Sequence, residues 1–113
     1  MNIVLLRGTL SSDPVTRVLP SEERVCSLEV TTHPISGPAS SAPVSWMNPP
    51  DDVGLVKGDE VVVTGVVNRR FFRTAGGTQS RTEVVAAQVL RSSDKRRVAA
   101  AIKKAVCAAG SDE

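Results

Sequence analysis

The run EVVVTGVVNRRFF, residues 60–72, constrains this chain more than any other stretch. β-Branched residues crowd it, and they suit a pleated, half-buried strand better than a helix. AGGTQS follows with two adjacent glycines, a hairpin signal, and RTEVVAAQVL, residues 81–90, reads as the returning strand. A long antiparallel hairpin is therefore written into the centre of the chain, and the other elements have to close around it.

Two of the three aromatic residues, Phe71 and Phe72, lie side by side in this hairpin, among Arg69, Arg70, Arg73 and Arg81. Neighbours on a strand point to opposite faces, so the two rings serve different surfaces. Val61, Val63 and Val67 share the more apolar face, which assigns Phe71 to the core side. Thr64, Asn68, Arg70 and Phe72 share the polar face, so Phe72 is the exposed ring. A bulge between Gly65 and Phe71 would reverse this assignment.

Three more strands precede the hairpin. NIVLLRGTL alternates, with Val4, Leu6 and Leu10 inward, Ile3 and Leu5 outward, and a break at Gly8. SSDPVTR reads as a turn, in which Asp13 accepts backbone hydrogen bonds, and LPSEER as a second turn. RVCSLEVTTH is a strand with Cys26, Leu28 and Val30 inward. PISGPASSAP, residues 34–43, has the composition of a flexible loop, and VSWM is a short strand stopped by NPP. The last segment changes period: Val98, Ala101, Ile102, Ala105, Val106 and Ala109 recur at helical spacing, with Ser92 or Ser93 to cap the start and Gly110 to end it. Lys95, Arg96 and Arg97 oppose the dipole of that helix in its first turn.

Five strands with no helices between them, kinked by glycine in the first and fourth, predict an all-β chain closed into a small barrel. Among five-stranded barrels the OB-fold is the expected form, with a long flexible loop over 34–43 and a C-terminal helix. The domain reading is an OB-fold unit over residues 1–91 and a basic helix or tail over 92–113.

A length of 113 residues suits one domain with one modest core. No apolar run approaches the roughly 20 residues of a membrane helix. MNIVLLRGTLSSDP lacks a basic leader and a small-residue cleavage site, so no signal peptide and a cytoplasmic protein are expected. Cys26 and Cys107 match no metal-ligand spacing and His33 stands alone, so neither a metal nor a cofactor is expected. Asp13, Asp51, Asp52 and Asp59 are explained as turn residues, and Gly76 and Gly77 as hairpin chemistry without the Gly-Lys-Ser/Thr of a phosphate loop. An enzyme is the least expected reading. The net charge of +2 is uneven: residues 1–90 hold 8 Lys+Arg against 9 Asp+Glu, and residues 91–113 hold 6 against 3.

The chain resembles the DNA-binding domain of bacterial single-stranded DNA-binding proteins over residues 1–91. The resemblance is carried by Asn2-x-Val4-x-Leu6-x-Gly8-x-Leu10, Asp13-Pro14-x-x-Arg17, PSEERVCSLEV, Val44-x-Trp46, Lys57-Gly58-Asp59 leading into Val61-x-Val63-x-Gly65, and Arg81-x-Glu83-Val84-Val85-Ala86. It implies sequence-tolerant binding of single-stranded DNA in replication, recombination or repair, association with the bacterial nucleoid, and a homotetramer, or alternatively a dimer, formed through the first strand. Ile3 and Leu5 are the candidates for that contact. The family's helix between strands three and four is shortened or missing in NPPDDVGLV. Partner recruitment through an acidic, hydrophobic-tipped tail is not expected of a sequence that reads GSDE at its end.

Single strands are held by cations offsetting phosphates and by bases stacking on aromatic rings. The candidate DNA-binding residues are Phe72 and Trp46 as stacking platforms, Arg69, Arg70, Arg73 and Arg81 around the ring, and Arg7 and Arg17 from the first strand and turn. Trp46 has two readings, a core tryptophan or an exposed platform, and the resemblance favours the platform. Two other functions stay open: an assembly module with little affinity for nucleic acid, and an RNA-binding barrel.

Overall fold

The computed structural model describes residues 2–110, so what the sequence suggested for the acidic end lies outside the described residues, as does the side chain of Ala109. Six strands and one helix follow in chain order: β1 (Val4–Leu10), β2 (Val15–Val18), β3 (Arg24–Thr32), β4 (Ser40–Met47), β5 (Glu60–Thr74), β6 (Gly77–Arg91) and α1 (Lys95–Gly110). Five of the strands close a ring, β1-β5-β6-β4-β3 and back to β1, through the two rungs Thr9↔Thr31 and Leu10↔Val30. The chain is an all-β barrel with one helix on its outside.

Its pairings are antiparallel except β4 with β6, which run parallel at Val44↔Val84, Ser45↔Val85 and Trp46↔Ala86. The inward residues expected of each strand form the core: Leu10, Cys26, Leu28, Val30, Val61 and Val63 are buried, with Val4 and Leu6 packed against them. Burying a Val or Leu side chain stabilises by about 1.5–3 kcal/mol each, so this cluster is the main source of stability.

Closing so small a ring needs two backbone contacts that no side chain would permit. A Cβ on Gly8 would meet the Thr31 carbonyl and the Val30 side chain, where β1 crosses β3. A Cβ on Gly65 would meet the Val85 carbonyl, at the register shift between Thr64 and Gly65. Both are the glycines read from the sequence as kinks in the first and fourth strands, and in the structure each is a point of close backbone approach.

Several boundaries differ from the sequence reading. SSDPVTR is only in part a turn, because Val15–Val18 leaves it as an extra strand paired with Ser27 to Arg24 on the outer edge of β3. The stretch read as a flexible loop gives up Ser40–Pro43 to β4, where Pro43 pairs with Glu29. At that point β4 has a strand neighbour on one side only, the edge condition under which proline is tolerated. Neither Ser92 nor Ser93 caps α1: the Ser92 hydroxyl donates to Glu60 at 2.6 Å, and Asp94 precedes the helix, its carbonyl accepting from Val98 N–H at 3.0 Å.

Helix α1 packs on the outer face of β5 and β6, burying Ala101. Beside it lies a groove of about 270 Å³ lined by Ile3, Thr64, Val66, Ala101, Lys104 and Ala105, among others. Ile3 is half-buried on the wall of this groove, whereas Leu5 is exposed, as read. No described helix is long and apolar enough to cross a membrane.

Candidate functional site

The β5–β6 hairpin is longer than the barrel it belongs to. β1 follows β5 only as far as Val4↔Gly65, and β4 touches β6 only from Val84 onward. Beyond those rungs the two strands continue alone, paired from Asn68↔Glu83 to Thr74↔Gly77, as a two-stranded arm with both edges open. The side chain of Asn2 marks the root of the arm: its amide nitrogen donates to the Val67 carbonyl at 2.9 Å and its oxygen accepts from Val67 N–H at 2.9 Å. Asn2 thus supplies one extra rung where the β1 backbone ladder ends.

The arm overturns one expectation about the paired phenylalanines. Phe71 does not continue the core side; it is 69% exposed, because β5 has left the barrel by Val66 and there is no core beneath it. Phe72 is 44% exposed, on the opposite face with Arg70. Neither ring is structural, and the two faces of the arm carry similar chemistry.

On the Phe72 face, the cross-strand pairs are Phe72↔Gln79, Arg70↔Arg81 and Asn68↔Glu83. This face runs down into a cleft of about 200 Å³ lined by Asp13 and Arg17 from the segment after β1, Ser27 and Glu29 from β3, Ser45 from β4, and Arg70, Arg81 and Glu83 from the arm. Residues far apart in sequence meet there because β2, β3, β4 and the arm present their outward-facing positions to one side.

Glu83 organises the cleft, and the sequence reading did not single it out as a site residue. Its side chain is nearly buried; one carboxylate oxygen accepts from the Ser45 hydroxyl at 3.0 Å and the other lies 3.9 Å from Arg70 Nε. Arg70 and Arg81 face each other directly, a like-charge pairing that costs stability on its own. The Glu83 carboxylate offsets that repulsion and turns the Arg70 guanidinium toward the cleft floor. The signal available in the sequence was a lone acidic residue on a strand whose neighbours were arginines. Asp13 is also committed: its carboxylate accepts from Lys57 N–H at 2.8 Å, the turn role expected of it, though for a different loop. Cleft charges are thus mixed, whereas no acidic residue occurs between Val61 and Thr82 along the arm.

Two candidates lie elsewhere. Arg7 is on the outer face of β1, where Nη2 and Nε bond Glu60 Oε1 at 2.9 and 3.1 Å. The Ser92 hydroxyl and the Arg7 guanidinium together hold the Glu60 carboxyl below the ordinary glutamate value. Arg7 is therefore part of an ion pair away from the cleft, which corrects its grouping with Arg17. Trp46 shares the strand face of Val44 and packs against the core, half-buried. It lines a separate, wider cleft of about 640 Å³ with Val53, Leu55, Arg91 and Arg97, between the 50–55 segment and the start of α1. The core reading of Trp46 fits that placement, and the exposed platform on the Phe72 surface does not. Arg69 and Arg73 lie on the arm's other face.

Compared with models of known protein families the chain matches none, and no curated protein matches it.

Proposed function

We propose that this protein binds single-stranded DNA, without sequence preference, in the cleft that leads onto the Phe72 face of the arm. The observation carrying this reading is the convergence of Arg17, Arg70 and Arg81 on one cleft, with Phe72 two rungs beyond it on the same face. Arginines placed along a groove beside an exposed ring are what an unstacked strand needs: phosphate neutralisation and a π surface.

The reading treats the barrel as an OB-fold, with ring strands β1, β3, β4, β5 and β6 as its strands one to five. In that fold the faces of strands two and three, and the loops from one to two and four to five, bind oligonucleotides. The cleft draws its lining from the corresponding places: the segment after β1, the outer faces of β3 and β4, and the hairpin arm. The sequence resemblance to bacterial single-stranded DNA-binding proteins points the same way and adds the homo-oligomer. In support of the latter, Val4 to Gly8 pair with β5 alone and Leu5 is exposed. Replication, recombination or repair is the corresponding role in the cytoplasm, with no catalytic step.

The test is anisotropy of a labelled oligothymidine with duplex DNA and oligouridine as competitors. The proposal expects single-stranded DNA to compete best and Phe72→Ala to weaken binding by about 1–3 kcal/mol with the fold intact. Equal competition by oligouridine would favour an RNA-binding barrel, and no binding at all an assembly module.

A further inference from the structure

Phe71 is left without a role by the cleft, and its surroundings are specific. Alternation along β5 puts Val67, Arg69, Phe71 and Arg73 on one face of the arm, with Thr82, Ser80 and Thr78 of β6 opposite the last three. At the strand rise of about 3.3 Å per residue, Arg69 and Arg73 are about 13 Å apart with the ring midway between them. Among the described residues neither arginine has an ion-pair partner, whereas Arg70 on the other face is drawn toward Glu83. This second face is thus a ring of 69% exposure flanked by two unpaired cations, on a two-stranded arm with no third strand beside it.

We propose that the face Arg69-Phe71-Arg73 is a second nucleic-acid track, so that a long single strand passes along the Phe72 face and returns along the Phe71 face of the same arm. The inference rests on the single-strand reading of the cleft. A polyanion with stackable bases is the occupant because the surface offers positive charge and one π face, with no acidic residue between Val61 and Thr82. The two-residue turn at 75–76 makes a narrow tip, and both edges are open, so nothing in the fold separates the two tracks.

The experiment uses the whole chain and two oligothymidines, one of about 8 and one of about 30 nucleotides, chosen around the site sizes of single OB barrels. Phe71→Ala and Phe72→Ala are compared with the parent by anisotropy, with circular dichroism and sedimentation on each. Phe72→Ala should weaken both oligomers by about 5- to 150-fold, the range of one lost base stack. Phe71→Ala should leave the short oligomer unchanged, weaken the long one by a similar factor and shorten the occluded length. If Phe71→Ala binds every length like the parent, or weakens both lengths equally, the second track is wrong while the cleft stands on the Phe72 result. If Phe71→Ala changes the sedimentation of the free protein, the face is a contact between copies, and the proposal is overturned. If the parent binds neither oligomer, both readings fall together.

Discussion

Gly65→Ala probes the joint between barrel and arm. The new Cβ would lie 2.9 Å from the Val85 carbonyl carbon and 3.0 Å from Ala86 Cα, and closer still to the Val85 oxygen, where ordinary contacts start at 3.4 Å. Those atoms are backbone, so no rotamer change relieves the overlap. β5 is also held on its other side by Val4↔Gly65, so moving it away from β6 drives it into β1. Relief therefore requires opening the rungs Gly65↔Ala86 and Val66↔Val85, at about 0.5–1.5 kcal/mol for each hydrogen bond lost, with overpacking adding about 1–3 kcal/mol. The total is about 2–6 kcal/mol. For a urea m-value of about 2 kcal/mol/M, the midpoint should fall by about 1–3 M. Gly76→Ala is the control, since its nearest neighbour, Thr74 Oγ1, is 3.9 Å from the new Cβ. A Gly65→Ala midpoint indistinguishable from the parent's would refute the close-approach argument.

Asn2→Ala removes both hydrogen bonds to Val67, and should destabilise the root of the arm by about 1 kcal/mol, read as faster exchange of the Val67 amide while Val63 stays protected. Glu83→Gln keeps an acceptor for Ser45 but takes a negative charge out of the cleft, so oligothymidine should bind more tightly, with the gain shrinking as salt rises. Glu60 has a folded-state pKa below its unfolded value, so its contribution to stability is present above the unfolded value and lost as pH falls through the folded one. Urea midpoints of the parent and Glu60→Gln should differ near neutral pH and converge in acid. Leu5→Glu should lower the sedimentation coefficient if copies associate through β1, and leave it unchanged if they do not.

Strand periodicity made the barrel legible because inward positions alternate on β1 and from Cys26 to Val30 on β3, and Gly8 and Gly65 marked the kinks. On β5, Val61 to Gly65 are all buried, so its apolar density rather than alternation carried the reading. Alternation says which side of a strand a residue is on, not whether anything lies beneath it. Phe71 was assigned to the core on parity that was correct, yet β5 outruns the barrel at Val66, and that overhang is set by how far β1 and β4 extend. Trp46 shows the same limit from the other side, since its neighbours Ser45 and Val44 face the cleft and the core respectively, and the pairing of β4 with β6 decided between them. Glu83 was illegible as a site residue because its importance comes from Ser45, distant in sequence and brought to it by the parallel pairing of β4 with β6, and from Arg70 across the antiparallel hairpin. The β2 extension and the start of β4 were hidden by turn-forming residues that β3 recruits as partners.

The central claim is tested most directly by the salt dependence of oligothymidine binding. Each phosphate neutralised on a single strand contributes about −0.7 to the slope of log affinity against log salt. With Arg17, Arg70 and Arg81 in contact, the slope should be about −2 or steeper, and should flatten by about 0.7 in Arg81→Gln. Binding that is absent, or that does not change with salt, would contradict the account.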